Sequence, residues 1–342
     1  MLKKRVTACA FALTLASAAG ITGAASASSP PPDDTAAAAT ADLGGSIVIP
    51  DLSGYSMGFA QVGAESGWRT ANTQSIQDAA AEAGIDLKFT DAQGEQESQI
   101  ESIRQFIQQG VDIIAFSPVV ETGWDAALVE ARDAGIPVVL TDRAIESDEE
   151  GLYVTFLGSD FIREGVWAGD WVNENFADAD QVNWVELQGT TGSAPANDRA
   201  EGFRSVVTDP KFELLDSQTG DFTRAGGKQV MEAFLQAHDD IDLVFAHNDD
   251  MGLGAIEAIE AAGLVPGVDI QIVTIDAVHD GMQALADGKI NYIVECNPLL
   301  GPQLMDIAGR VLAGEEVPAR IVTNETTFTQ EQAVAALPDR QY

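Results

Sequence analysis

Residues Gly58–Gln77 read GFAQVGAESGWRTANTQSIQ, and how this stretch folds decides how the rest of the chain folds. Met57 to Val62 is apolar and β-prone, the pattern of a short buried strand. Gly63, Ser66 and Gly67 break the run as a loop. From Trp68 to Ala83 small apolar and polar residues recur at helical spacing, so the segment reads as strand, loop, helix. Open α/β sheets bind ligands at the carboxyl ends of their strands, which is where this loop falls. It carries Glu65, Trp68 and Arg69 within five positions. A flat ring covers an apolar C–H face, while a guanidinium donates to hydroxyls and a carboxylate accepts from them. That set of groups suits a small polyhydroxylated molecule. The alternative is a capped helix start with a core Trp.

Outward from this stretch the rhythm repeats. Strands are expected at Tyr55–Val62, Leu87–Thr90, Ile113–Ser117 and Val138–Thr141, with helices near Trp68–Ala83, Gln96–Gln109 and Gly123–Ala134. Gly84, Gly110 and Gly135 each follow a helix and precede a strand, where a left-handed C-cap is wanted. The alternation resumes from Val154–Gly158 through Val182–Leu187, Leu214–Gln218, Leu243–Ala246 and Ile270–Ile275 to Tyr292–Glu295. A βαβα rhythm implies parallel sheets covered on both faces with right-handed crossovers. So many units exceed one compact sheet, and two similar α/β lobes are the economical arrangement.

The strand ends carry the chemistry. Asp142-Arg143 follow Val138–Thr141, Gln188-Gly189 follow Val182–Leu187, and Asp221-Phe222 follow Leu214–Gln218. Asn248-Asp249-Asp250 follow Leu243–Ala246, Asp276 follows Ile270–Ile275, and Glu295 ends Tyr292–Glu295. Each has an ordinary reading by itself, as an N-cap or a surface pair. Their joint occurrence at one end of both sheets places them along one cleft if those ends face each other.

The 342 residues are enough for two cores. With 54 acidic residues against 18 basic ones the formal charge is −36, which disfavours nucleic acid and anionic membrane surfaces as partners. Lys3, Lys4 and Arg5 precede an apolar run from Val6 to about Ile21, and Ala25-Ser26-Ala27 offers a cleavage site. Residues 1–27 therefore read as a secretory signal peptide, too short for a spanning helix. Its removal takes three bases and no acids, leaving 15 bases, 54 acids and a net charge of −39. Cys9 stands within the leader, behind a lipoprotein-like Val6-Thr7-Ala8 that comes too early for a hydrophobic region. The exported chain keeps only Cys296, which excludes an intrachain disulfide and reads as a packed residue. Residues 28–46, rich in Pro, Ala and small polar side chains, read as a disordered linker. The acidic clusters Glu146–Glu150 and Asp239–Asp242 lack the spacing of a calcium loop and read as solvated loops, so neither a metal nor a cofactor is expected.

Taken together, the motifs Leu140-Thr141-Asp142-Arg143, Val185-Glu186-Leu187-Gln188-Gly189, Arg199-Ala200-Glu201-Gly202-Phe203, Gly220-Asp221-Phe222-Thr223-Arg224 and Ala246-His247-Asn248-Asp249-Asp250-Met251 resemble those of periplasmic sugar-binding proteins of the ribose-binding type. The similarity runs from about Ile47 to the C-terminus. GFAQVGAESGWR at 58–69 and SPVVETGW at 117–124 are most similar to the galactofuranose-binding members, which favour five-membered rings. The resemblance implies a type I periplasmic binding protein: two Rossmann-like lobes with parallel sheets, joined by three hinge crossings. These are expected near Ser159-Asp160, Cys296-Asn297-Pro298 and Pro318–Arg320. The lobes would then comprise 47–158 plus 297–318, and 159–296 plus 319–342. It further implies that Asp142 and Arg143 hold sugar hydroxyls from the first lobe, that Arg199, Asn248 and Asp276 do so from the second, and that Phe222 stacks on the ring. Glu295 stands where the family typically places a Gln ligand, and Trp68-Arg69 where ribose binders carry paired Phe. The implied partners are a monosaccharide and the membrane permease and ATPase of an ABC importer, with the protein itself an exported monomer.

Other classes fit less well. Asp142 and Asp276 are the pair available for acid–base work on a glycoside, but Arg or amide neighbours are expected to hold both ionised. No HExxH, P-loop, CxxC or nucleophile motif accompanies them. The sugar-sensing core of a LacI-type repressor shares the fold, yet it carries a helix-turn-helix where this chain has a leader. A receptor for a signalling sugar, or a chemotaxis adaptor, uses the same cleft and stays open as a reading.

Overall fold

Two six-stranded sheets organise residues 47–342, the part of the chain that the computed structural model describes. The signal peptide read at 1–27, with Cys9, and the linker at 28–46 lie outside the described residues. The first sheet is laid down by β1 (Ser56–Gln61), α1 (Gly67–Ala83), β2 (Asp86–Asp91), α2 (Gln96–Gln109), β3 (Ile113–Phe116), α3 (Asp125–Asp133), β4 (Val138–Thr141) and β5 (Thr155–Gly158). The second comes from α4 (Phe161–Asn175), β6 (Val182–Gln188), α5 (Ala194–Val206), β7 (Phe212–Thr219), α6 (Arg224–Ala237), β8 (Leu243–Ala246), α7 (Asp249–Ala261), β9 (Gln271–Asp276), α8 (His279–Ala286) and β10 (Tyr292–Glu295). The chain then returns to the first sheet with α9 (Gly301–Leu312) and β11 (Arg320–Val322), and ends on the second with β12 (Thr327–Phe328) and α10 (Gln330–Ala336).

The strand orders are β2-β1-β3-β4-β5-β11 and β7-β6-β8-β9-β10-β12, so the second sheet repeats the plan of the first. All pairs are parallel except β10 with β12. Their central strands are apolar throughout because helices cover both faces: every residue of β3, β4 and β8 is buried. One face of the first sheet packs Met57, Phe59, Leu157 and Met305. The other packs Phe106, Phe116, Trp124 and Leu128. Gly84 (φ 71°) and Gly110 (φ 66°) cap α1 and α2 in the left-handed region, as the punctuation predicts. Gly135 (φ 74°) takes the left-handed conformation two residues past the end of α3, after the C-cap Ala134.

Ser159-Asp160 and Cys296–Pro298 connect the sheets where the sequence places crossings. The third differs from expectation. Residues 319–322 do not leave the first sheet: Arg320–Val322 pair in parallel with Phe156–Gly158 as β11, Ile321 is buried, and the Arg320 guanidinium lies 4.8 Å from the Phe156 ring. The crossing therefore falls at 323–326. One carboxylate ties all three connections. Glu325 Oε1 accepts from Ser159 Oγ, from Thr323 Oγ1 at 2.8 Å and from Asn297 N at 3.1 Å. Among the described residues, no helix is long and apolar enough to cross a membrane.

Candidate functional site

In both sheets the strand order reverses between the second and third strands, β1 and β3 in one and β6 and β8 in the other, and ligands bind outside such switch points. The two sets of carboxyl ends face each other across a closed cleft. Gly67 N, at the start of α1, donates to Asp250 Oδ2 of α7 at 2.7 Å. Trp68 Nε1 donates to the Cys296 carbonyl at 2.7 Å, and Glu121 N donates to the Gly192 carbonyl at 2.9 Å. Trp68 belongs in sequence to the first sheet but packs with Phe161, Val278 and Cys296 in the core of the second.

The cavity between the lobes, its mouth included, has an empty volume of about 270 Å³ and is lined by Glu65, Trp68, Arg69, Asp142, Arg143, Arg199, Phe222, Asn248 and Asp276, with Ser66, Pro195 and Cys296. Nine of the ten side chains singled out from sequence thus meet in one place. Glu295 is the correction. Its carboxylate lies outside this lining and accepts from Arg340 Nη1 at 2.7 Å and Tyr342 Oη at 3.0 Å. The C-terminal segment that folds back onto β10 takes it away from the cleft.

On the first-sheet side the charges hold one another. Arg69 donates from Nε to Glu65 Oε1 at 3.0 Å and from Nη2 to Asp142 Oδ2 at 2.7 Å. Ser117 Oγ, at the end of β3, donates to the same Asp142 oxygen at 2.8 Å. Arg143 reaches Glu65 Oε1 from Nη2 at 3.5 Å and the Val119 carbonyl from Nη1 at 3.2 Å. Burial would raise the Glu65 pKa, but Arg69 and Arg143 outweigh it and hold the carboxyl below its ordinary value. Burial and the neighbouring Arg69 push Arg143 down to about 10, so it remains a cation at neutral pH. Two atoms here are buried without a partner: Glu65 Oε2 and Arg143 Nε.

On the second-sheet side the protein scaffold does the holding. Arg199 Nε donates to Glu164 Oε2 at 2.7 Å and Nη1 to the His247 carbonyl at 2.6 Å, leaving Nη2 3.7 Å from Asp276 Oδ1. Its helix α5 crosses α4 so closely that a Cβ on Gly165 would lie 2.3 Å from the Arg199 carbonyl oxygen, and this close approach sets the guanidinium in the cleft. Asn248 caps α7 through Oδ1, accepting from Met251 N at 3.0 Å, and donates from Nδ2 to the Phe222 carbonyl at 3.1 Å. Its cap reading and its cleft reading are therefore both realised. The Phe222 ring fits because Gly189 has no side chain: a Cβ there would lie 1.9 Å from the ring. Arg143 stands 5.3 Å and Arg199 5.9 Å from the ring centroid.

Asp276 departs from the expectation that both carboxylates are held ionised. Burial raises its pKa well above the ordinary value despite Arg199, and the nearby Asp249 and Glu164 push the same way. Burial also raises Glu164. Backbone strain marks the site: Asp142, Phe222 and Asp276 are non-glycine residues with φ of 62°, 60° and 126°. Glu164, Gln61 and Ser117 orient the arginines from behind and were invisible in the sequence, because strand and helix interiors give no sign of which neighbour they will meet. Cys296 is buried with its thiol pKa raised by burial, as fits a packed residue.

Two lobes closing on a small, charge-rich cavity with one aromatic face define a hinge-closing binding protein for a compact polar ligand. The chain belongs to the periplasmic binding protein domain family, which matches residues 57–316. It is 44% identical over 277 residues to the galactofuranose-binding protein YtfQ of Escherichia coli (strain K12), covering 80% of this chain and 87% of that protein. A Mycobacterium smegmatis protein solved in complex with β-D-fucofuranose is 66% identical, with a TM-score of 0.83 over 84% of this chain and 95% of that one. The periplasmic binding protein component of the arabinose ABC transporter from Shewanella sp. ANA-3, bound to α- and β-L-arabinofuranose, is 46% identical with a TM-score of 0.80, again over 84% and 95%.

Proposed function

We propose that this chain is the extracytoplasmic, monomeric substrate-binding component of a sugar ABC importer, closing on one furanose monosaccharide and presenting it to a permease and its ATPase. The observation that carries the reading is the convergence of the nine side chains from both lobes on one cavity, with Arg143 Nε buried in its wall without a hydrogen bond. A neutral sugar is an array of donors and acceptors, and hydrogen bonds to charged partners contribute roughly 1.5–3 kcal/mol each. Micromolar affinity requires about −8 kcal/mol net, which several such bonds supply after the costs of ordering. Phe222 and Trp68 cover the C–H faces. Because both lobes contribute, the sugar favours the closed state, and closure distinguishes loaded from empty.

The furanoses held by the two solved relatives support the ring form. Trp68 narrows the cavity, and Arg69 and Arg143 reach outlying hydroxyls that a pair of Phe residues would leave without donors. No catalytic step is part of the reading. Glu65 and Asp142 are held by arginines, and the Ser66 hydroxyl caps α1 by accepting from Arg69 N at 3.1 Å. The test is NMR of labelled galactose, which in water is mostly pyranose with a small furanose fraction. A bound spectrum showing only furanose is expected; bound pyranose alone would end the furanose assignment, and no binding of any pentose or hexose by calorimetry would end the sugar assignment.

A further inference from the structure

Beyond the enclosed cavity, the cleft widens rather than ends. A second cavity, with about 1030 Å³ of empty space including its mouth, opens toward the edge strands β2 and β7. Its interior, about 540 Å³, lies within the range for small-molecule sites, roughly 300–1,000 Å³. Both lobes line it: Gln93 and Gly94 follow β2, and Asp221 and Thr223 follow β7. Glu65 lines both cavities.

The Glu65 carboxylate divides between them. Oε1 takes the inner hydrogen bonds from Arg69 and Arg143. Oε2 lies beside Gly63 of the outer lining, where a Cβ would sit 3.3 Å from it and 3.5 Å from Gly94 N. This second oxygen is buried without a hydrogen-bond partner. The outer rim also repeats the strain seen at the inner site. Gln93 (φ 53°) and Asp221 (φ 54°) are non-glycine residues in the left-handed region, although neither touches the inner cavity. Each is exposed in a tight turn, Gln93 N donating to Asp91 Oδ1 at 2.8 Å and Asp221 N to Thr219 Oγ1 at 3.2 Å, which leaves both at the rim. Asp221 stands beside Phe222 in a single turn, so the stretch that covers the inner ring also presents a carboxylate to the outer space.

We infer that the outer cavity is a subsite for a second hydroxylated unit attached to the enclosed furanose, so that the protein binds short furanosyl oligosaccharides as well as the monosaccharide. This rests on the furanose reading above. The inner cavity holds the furanose ring. Glu65 spans the junction, and Gln93 and Asp221 meet the hydroxyls of the appended unit, with Asp91 of β2 at the same rim.

The experiment is calorimetry with D-galactose, with a galactofuranosyl-(1→6)-galactofuranose disaccharide, and with the variants Gln93→Gly and Asp221→Gly. Glycine removes each side chain and accepts the positive φ, so the variants keep the wild-type melting temperature. The expected result is binding of the disaccharide at one per chain, weakened about tenfold in each variant while galactose binding stays unchanged. Galactose bound with no uptake of the disaccharide would overturn the subsite and leave the sugar-binding assignment standing. Equal weakening of both ligands in the variants would also overturn it. Failure to bind either ligand would overturn the furanose reading itself and the inference with it.

Discussion

The two walls of the enclosed cavity are built on different principles. On the first-sheet side, Arg69 sits between Glu65 and Asp142, with Ser117 on the same Asp142 oxygen, so the charges balance among themselves. On the second-sheet side, Arg199 is bound to Glu164 and to the His247 carbonyl, and Asn248 is spent on a helix cap and a turn. The first wall is mainly a network among cleft side chains, tied to its lobe through Gln61, Ser117 and the Val119 carbonyl; the second is held by the interior of its lobe's own fold. A ligand can therefore land on the first wall without disturbing that lobe, whereas the second wall cannot be altered without loosening the lobe that carries it.

Arg199→Ala breaks this comparison most severely. It strands the Glu164 carboxylate, which is fully buried, and removing one partner of a buried pair costs about 3–5 kcal/mol. Sugar binding should vanish in calorimetry and the ligand-free melting temperature should fall by roughly 5–15 °C. An unchanged melting temperature would show that the second wall is as independent as the first.

Arg143→Ala comes next, with a different signature. Arg143 is held loosely, 3.5 Å from Glu65 and 3.7 Å from Asp142 with one bond to the Val119 carbonyl, and Arg69 beside it disfavours its charge, so the ligand-free protein loses less than with Arg199→Ala. Binding should weaken by roughly 2–5 kcal/mol by calorimetry, while the melting temperature without sugar moves by no more than a few degrees. A large fall in that temperature would show that the first wall too is structural.

The hinge supplies a pH dependence. Burial raises Glu325 to about 8, with Glu164 nearby adding to it. A carboxyl whose folded pKa lies above its unfolded value contributes stability that is full below the unfolded value and is lost as pH rises through the folded one. The melting temperature should therefore fall between about pH 5 and pH 8, by on the order of 5 °C. Glu325→Gln should make that profile less steep, Asp276 and Glu164 keeping a share of it; an equally steep profile in the variant would assign the dependence to those other carboxyls. The smallest effect is expected from Glu295→Gln. It disturbs the contacts to Arg340 and Tyr342 but leaves sugar affinity within about twofold, as titration would show.

The sequence discloses these walls unevenly, for physical reasons. Strands such as Val138–Thr141 and Leu243–Ala246 are legible to the residue because they are buried on both faces and end abruptly in polar side chains. The same abruptness exposes Asp142, Asn248 and Asp276 as cleft residues. Arg320–Val322 is not legible as a strand, since three residues at a sheet edge carry no period, and its neighbours read as a crossing. Glu295 misleads for another reason: its partners Arg340 and Tyr342 lie some 45 residues further on, and nothing local announces them. The raised pKa of Asp276 depends on depth, which no spacing encodes.

The carboxylate of Glu325 bears on how the molecule moves. Three connecting segments that bent separately would let the lobes roll, slide and twist against each other. Because Ser159, Asn297 and Thr323 all donate to one oxygen, the segments are clasped at a common point, like three cords knotted together. Clasped in this way, the three segments are restrained to bend together rather than singly, and the closed spacing of the two lobes' outer faces is tied to a single oxygen.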